Sequence, residues 1–153
     1  MITTEERGKS IVFNCPPGFG DPVEGEALVT RDGFSARYDL DPLTGIISRE
    51  SHDLYGQSIA NKIVIFDFAK GGVATSWRLL DLVERGTAPA GLVFNVINPV
   101  MVQAAVLANI SIVHRLEPNP LVELKSGDWV RIFPKEGRVE AYAEKPESAL
   151  QPA

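Results

Sequence analysis

Short apolar runs rich in β-branched residues alternate with two helical stretches through the middle of this chain. Ile63–Phe66 has the continuous apolar character of a strand that is buried on both faces. Two further runs, at 91–97 and 111–116, have the same character. Strands that alternate with helices normally lie parallel and are joined by right-handed crossovers. The pattern therefore predicts two strand–helix–strand units in tandem, with helices at about 76–84 and 98–107.

Both predicted helices carry boundary signals. The first helix ends at a basic last turn with Arg85, and Gly86 follows as a stop. The second helix has Asn98 as its side-chain cap and Pro99 in its first position, and it ends at Asn109. These signals support the helix assignment independently of the apolar spacing.

The rest of the chain is β-rich. We expect one α/β domain with a mixed, partly parallel sheet and two main helices. It occupies residues 25–143, between an N-terminal arm at 1–24 and a flexible tail at 144–153. The further predicted strands are a short one at 11–13, one at 26–30, and an antiparallel pair at 127–133 and 137–142.

A small loop, Lys70–Ser76, joins the strand at Ile63–Phe66 to the first helix and contains two adjacent glycines. Glycine lets a ligand approach the backbone closely, and a helix N-terminus offers free N–H groups and the positive end of a dipole. The loop therefore predicts a site for an anion or an activated serine. The structural alternative is that Thr75 or Ser76 only caps the first helical turn.

Composition narrows the classes of function. The 153 residues include 15 basic and 20 acidic side chains, and this net charge of −5 argues against nucleic acid or an anionic membrane as partner. The first residues are polar, and the longest apolar stretch, 99–112, is too short to span a bilayer.

The cysteine and histidine content narrows the chemistry further. Because Cys15 is the single cysteine, we expect a cytoplasmic protein without an internal disulfide and without the thiolates of an iron–sulfur cluster. The two histidines, His52 and His114, are far apart in the sequence, so no metal site is predicted in this chain.

Four segments of the chain stand in a characteristic order and spacing. They are Asp41-Pro42-Leu43-Thr44-Gly45-Ile46-Ile47, His52-Asp53-Leu54-Tyr55-Gly56-Gln57-Ser58-Ile59, the loop from Lys70-Gly71 to Ser76, and Gly86-Thr87-Ala88-Pro89-Ala90-Gly91. Together they resemble the small subunit, or swivel domain, of the aconitase X family of dehydratases, over about residues 25–134.

The resemblance implies a swivelling β/β/α domain that closes over a larger catalytic subunit. That larger subunit would carry an iron–sulfur cluster or iron, and this chain would bind no cofactor. Members of the family dehydrate cis-3-hydroxy-L-proline or phosphomevalonate, and a separate small chain works only as a heterodimer with the large one. The implied function is a hydro-lyase subunit, inactive alone, for a small hydroxy acid, a hydroxyproline-like compound or a phosphorylated hydroxy acid.

Carried over to this chain, the resemblance makes Ser76 the candidate catalytic residue, as a base or as a donor to the substrate. A serine can act as a base only in a strong positive potential, which Lys70 and the helix N-terminus supply in part. For Lys70 the alternative is a solvated surface side chain, for His52 a structural role, and Trp77 is expected to be a core anchor. The candidate substrate-binding residues are Lys70, Gly71, Gly72, Val73, Ala74, Thr75, Arg37 and His52.

Two positions depart from the family pattern. The family loop usually has a serine where this chain has Gly72. An aromatic-Gly-Gly stretch of the family is replaced here by residues 36–39, where Arg37 can recognise a carboxylate or phosphate. These departures leave the substrate open. They also support an alternative function, a non-catalytic module that binds an anion or scaffolds a partner.

Overall fold

The computed structural model describes residues 10–72 and 74–150. Val73 of the predicted site, the first nine residues of the predicted arm and the last three of the predicted tail lie outside the described residues. The described strands are β1 Ile11–Asn14, β2 Val23–Val29, β3 Leu40–Asp41, β4 Ile46–Ile47, β5 Ile63–Phe68, β6 Gly91–Val96, β7 Ser111–His114, β8 Trp129–Phe133 and β9 Arg138–Tyr142. The described α-helices are α1 Ala74–Arg85, α2 Pro99–Ala108 and the single-turn α3 Pro120–Glu123.

Seven of these strands form one mixed sheet in the order β1-β9-β8-β2-β5-β6-β7. The half formed by β2, β5, β6 and β7 is parallel, with Ile65 of β5 opposite Val29 of β2 and Val93 of β6. The other half, from β2 through β8 and β9 to β1, is antiparallel. The predicted parallel units and the predicted antiparallel pair are both confirmed, and β2 joins them.

The two faces of the parallel half enter different cores. Val64 and Phe66 of β5 pack with residues of α1 and α2, whereas Ile63 and Ile65 point to the opposite face. Side chains of β8 and β9, including Val130, share that second core with Ile63 although β2 separates the strands in the sheet. The antiparallel half therefore bends over the parallel half. The result is the predicted β/β/α arrangement, with α1 and α2 in contact on one side.

The predicted caps of α2 are present. The Asn98 side chain accepts a hydrogen bond from the Met101 N–H at 2.8 Å, and Pro99 is the first helical residue. Asn109 closes the helix in the left-handed conformation, with φ 56° and ψ 43°. Because α2 must end before β7 begins at Ser111, these caps help to set the length of the connection between β6 and β7. None of the helices in the two described segments is long and apolar enough to cross a membrane.

The prediction that Trp77 anchors the core is wrong, because its side chain is 71% exposed. The buried stripe of α1 is formed by Thr75, Leu79 and Leu82, three and four residues apart. Trp77 lies on a different face of the same helix, and Val83 is also exposed. The sequence contains two apolar stripes with helical spacing, and only one of them meets the sheet.

The connection between β2 and β5 brings a second layer of residues to the carboxyl edge of the sheet. The Phe34 ring stacks on Phe66 with a centroid distance of 4.6 Å, and Phe66 stacks on Phe94 at 5.4 Å. The Phe34 N–H donates to the Phe68 carbonyl, and the Lys70 N–H donates to the Phe34 carbonyl, each at 3.0 Å. This pairing extends β5 beyond its last residue and holds the 34–39 segment beside the glycine loop.

Candidate active site at the start of the first helix

The glycine loop leaves the carboxyl end of β5 and enters α1 beside the end of β6. The Ala69 N–H donates to the Val96 carbonyl at 2.9 Å, and the Asn98 amide side chain donates to the Ala69 carbonyl at 3.4 Å. Open α/β sheets place ligand sites at the carboxyl ends of their strands. Both ends of the loop are therefore fixed by the sheet at the edge where a ligand site is expected.

A buried carboxylate organises the charges of this loop. The Asp39 side chain is fully buried and accepts a hydrogen bond from the Ser35 backbone N–H at 2.8 Å. Its second oxygen, Oδ1, lies 3.2 Å from the Arg49 guanidinium, and Oδ2 lies 3.3 Å from the Lys70 Nζ. The Lys70 ammonium is therefore held by an ion pair and is not a freely solvated side chain.

Two buried hydroxyl groups flank Gly71. A Cβ at Gly71 would stand 2.8 Å from Ser35 Oγ and 2.9 Å from Thr75 Oγ1, and the backbone has φ +104° there. Neither hydroxyl has a hydrogen-bond partner among the described residues. An unmet polar group costs about 1–3 kcal/mol when it is buried. Such groups in a native protein are commonly explained by a function or by a bound partner.

Ser76 lies at the contact between α1 and α2, whereas Thr75 lies beside Gly71. It lines a hollow of about 270 Å³ between α1 and α2, together with Trp77, Leu80, Gln103 and Leu107. Its side chain is 8% exposed, and its Oγ also lacks a hydrogen-bond partner among the described residues. Neither Thr75 nor Ser76 therefore acts as the side-chain cap that was the structural alternative.

The other predicted binding residues take distinct positions. Arg37 is exposed, with its guanidinium 5.1 Å from the centre of the Tyr38 ring. His52 is buried, its Nε2 lies 2.8 Å from the Gly33 carbonyl, and its Nδ1 accepts from the Leu54 N–H at 3.1 Å. These partners assign the ring proton to Nε2 and leave both ring nitrogens engaged within the chain. Gly72 is exposed, and Ala74 is half-buried at the first described position of α1.

Two side chains with shifted pKa values, Cys15 and His114, are not part of the glycine loop. Burial raises the pKa of the Cys15 thiol above its usual 9.0. Desolvation, and secondarily the nearby Arg115, lowers the pKa of His114 below 6.5. Residues 10–72 and 74–150 contain no group of three or more His, Cys, Asp or Glu side chains arranged to hold a metal ion.

Sequence reasoning missed three contributors to the site, Ser35, Asp39 and Arg49. Asp39 lies 31 positions before Lys70 in the chain, and no local motif links the two residues. The only signal was the departure from the family pattern at 36–39, which marked the segment without indicating that its aspartate turns inward. The Phe34–Phe66 stack, which brings the segment under the loop, is a tertiary contact.

Known proteins match this chain over nearly all of its described residues. Residues 12–141 match the aconitase X swivel domain. The phosphomevalonate dehydratase small subunit of Methanosarcina acetivorans is 33% identical over 140 residues, which cover 92% of each chain. The subunit of the same name from Pyrococcus horikoshii is 34% identical over 122 residues, 80% of this chain and 89% of that one. The crystal structure of Thermococcus kodakaraensis aconitase X in its holo form matches with a TM-score of 0.80 at 29% identity, covering 86% of this chain and 98% of that one.

Proposed function

Because this chain belongs to the aconitase X swivel-domain family, we propose that it is the small subunit of a hydro-lyase. It closes over a larger subunit, and the two chains complete one active site. The observation that carries this proposal is the extent of the match, since 92% of a dehydratase small subunit is covered. Alone, the chain has no dehydratase activity.

The substrate is a small hydroxy acid, and the phosphorylated class is favoured over the hydroxyproline-like class. Relatives from several archaea are named phosphomevalonate dehydratase small subunits. The local charge also suits an anion. Lys70 and Arg49 converge on the single carboxylate of Asp39, so the network keeps one excess positive charge in a chain of net charge −5.

Dehydration requires a proton to leave carbon and a hydroxide to leave the neighbouring carbon. We assign the first task to Ser76, whose buried and unpartnered Oγ lies in the first turn of α1. The positive end of the helix dipole favours the deprotonated form of a group at this place. The loop of residues 70–75 binds the substrate. We expect the large subunit to hold an iron–sulfur cluster or iron, which would act as a Lewis acid toward the leaving hydroxide.

The test is reconstitution. The chain is co-expressed with the large dehydratase chain of the same genome, and dehydration of the three substrate classes is measured for the complex and for the isolated chain. We expect turnover only in the complex. Turnover by the isolated chain would contradict the subunit model, and a stable complex without turnover would favour the non-catalytic module.

Ser76→Ala in the active complex tests the assignment of the base. Loss of an acid–base group lowers kcat by about 10²-fold or more. Ser51→Ala is the matched control, since Ser51 is exposed and lies outside the loop. An unchanged kcat in the Ser76 variant would remove this residue from the mechanism while leaving the subunit assignment intact.

A further inference from the structure

A second group of cationic side chains lies beside the glycine loop, along the first turns of α1. A hollow of about 350 Å³ is lined there by Arg37, Ala74, Trp77, Arg78 and Asp81. Arg37 belongs to the same short segment as Ser35 and Asp39, which contact the loop. The hollow is therefore adjacent to the proposed active site and shares a chain segment with it.

Both arginines of this hollow lack a carboxylate partner. Within the described residues, the Arg37 side chain makes a ring contact with Tyr38 only, and the Arg78 side chain makes neither an ion pair nor a hydrogen bond. The acidic residue of the hollow, Asp81, is already neutralised, because its Oδ1 lies 3.0 Å from Arg85 Nε. Two arginines thus line the same small space, and its one carboxylate is paired with a third arginine, in a chain that is acidic overall.

This arrangement suits an oxyanion that carries two charges. Like charges that share one space repel each other, and an anion placed between them removes that cost. The guanidinium fork binds phosphate oxygens in pairs, with stronger bonds than neutral donors provide. The first turn of α1 adds the positive end of its dipole. A volume of 350 Å³ lies within the range of small-molecule sites and exceeds the needs of a single phosphoryl group.

We propose that Arg37 and Arg78 form a phosphate subsite that takes the phosphoryl group of the substrate. This inference rests on the proposed function, because it locates one end of the same substrate. The exposed Trp77 indole forms the apolar wall of the subsite. The binding is non-covalent, so no bond of the phosphate ester changes.

The experiment measures phosphate binding and turnover in parallel, using the protein in the assembly in which it purifies. Arg37→Gln, Arg78→Gln and the double variant are compared with the wild type. The control is Lys62→Gln, because Lys62 is paired with Glu26 and lies just before the opposite end of β5. Inorganic phosphate is titrated by calorimetry, and KM is measured for a phosphorylated hydroxy acid and for its unphosphorylated analogue.

We expect each single variant to weaken phosphate binding about tenfold, which is the loss of roughly one charge-assisted hydrogen bond. In these variants KM for the phosphorylated substrate rises by a similar factor, and this rise exceeds any fall in kcat. KM for the unphosphorylated analogue stays the same. The Lys62→Gln variant keeps the phosphate affinity and the KM values of the wild type. Equal phosphate affinity in the wild type and the double variant would overturn the subsite. So would an equal rise in KM for both substrates.

The titration separates this inference from the proposed function. If the complex dehydrates none of the substrates but binds phosphate through Arg37 and Arg78, the hydro-lyase assignment fails and the subsite stands. If the complex is an active dehydratase and binds no phosphate, the subsite fails alone. Phosphate binding that survives in the double variant identifies another binding place and also rejects the subsite.

Discussion

Replacement of Asp39 by alanine is expected to destabilise the fold by about 2–4 kcal/mol. The carboxylate is fully buried, and its removal leaves the Ser35 N–H without its 2.8 Å acceptor. An unmet buried donor costs about 1–3 kcal/mol. The side chains of Lys70 and Arg49 are 34% and 46% exposed, so water can replace their partner, and each loses only about 0.2–1 kcal/mol.

Two further variants divide this cost. Asp39→Asn retains an oxygen that can accept from the Ser35 N–H, so we expect it to lose only the contribution of the two ion pairs, about 0.4–2 kcal/mol. Asp81→Asn is the matched control, because the Asp81–Arg85 pair lies on the helix surface and is worth about 0.5 kcal/mol or less.

The assay is urea unfolding followed by circular dichroism. The midpoint should fall in the order wild type, Asp81→Asn, Asp39→Asn and Asp39→Ala, with an unchanged slope if the unfolded state is unaffected. A total stability of 5–15 kcal/mol makes the largest of these shifts easy to measure. If Asp39→Ala and Asp81→Asn lost the same free energy, the burial of Asp39 would not be the organising interaction of the loop.

Three other expected outcomes follow from local features. Gly71→Ala should lower the free energy of unfolding by at least about 1 kcal/mol, whereas Gly72→Ala should change it little, because of these two adjacent glycines Gly71 alone combines positive φ with crowding. Equal unfolding midpoints for the two variants would contradict this. Because burial raises the Cys15 pKa, its thiol should react with a disulfide reagent at pH 8 more slowly in the native chain than in urea; equal rates would show that the thiol is accessible. Because the native pKa of His114 is lowered, the unfolded state binds a proton first, so stability falls as pH drops below about 6.5. Thermal melts of His114→Gln should lack part of that loss, and an identical pH dependence would refute the contribution.

The secondary structure was predicted correctly wherever the local sequence pattern was compatible with only one type of element. α2 is the clearest example, since Asn98, Pro99 and Asn109 mark both of its ends, and all three take the expected conformations. The alternation of buried strands with the two long helices also predicted the parallel pairing of β5, β6 and β7, but not that of β2 with β5. The short helix Pro120–Glu123 was missed, because a single turn has too few residues to show a period.

The failures occurred where the sequence allowed two arrangements. Helix α1 contains the stripe Thr75–Leu79–Leu82 and also the stripe of Trp77, Leu80 and Val83, and periodicity alone does not distinguish them. The sheet buries the first stripe, so Trp77 lies in solvent at the edge of the proposed phosphate subsite. The residues singled out for function remain predictions, and the structure adds Asp39 and Arg78 beside them.

By itself the sequence indicated the main buried strands, the two long helices, the family, and the loop at which a ligand is expected, because each is marked by a pattern of residues along the chain. Tertiary structure alone decided which charges meet. Asp39 reaches Lys70 because the Phe34 ring stacks on Phe66 and the Phe34 backbone pairs with Phe68 and Lys70. Arg37 shares a hollow with Arg78 because the segment that holds Asp39 lies against α1. Contacts between residues more than thirty positions apart depend on how the layers pack, which no local pattern encodes.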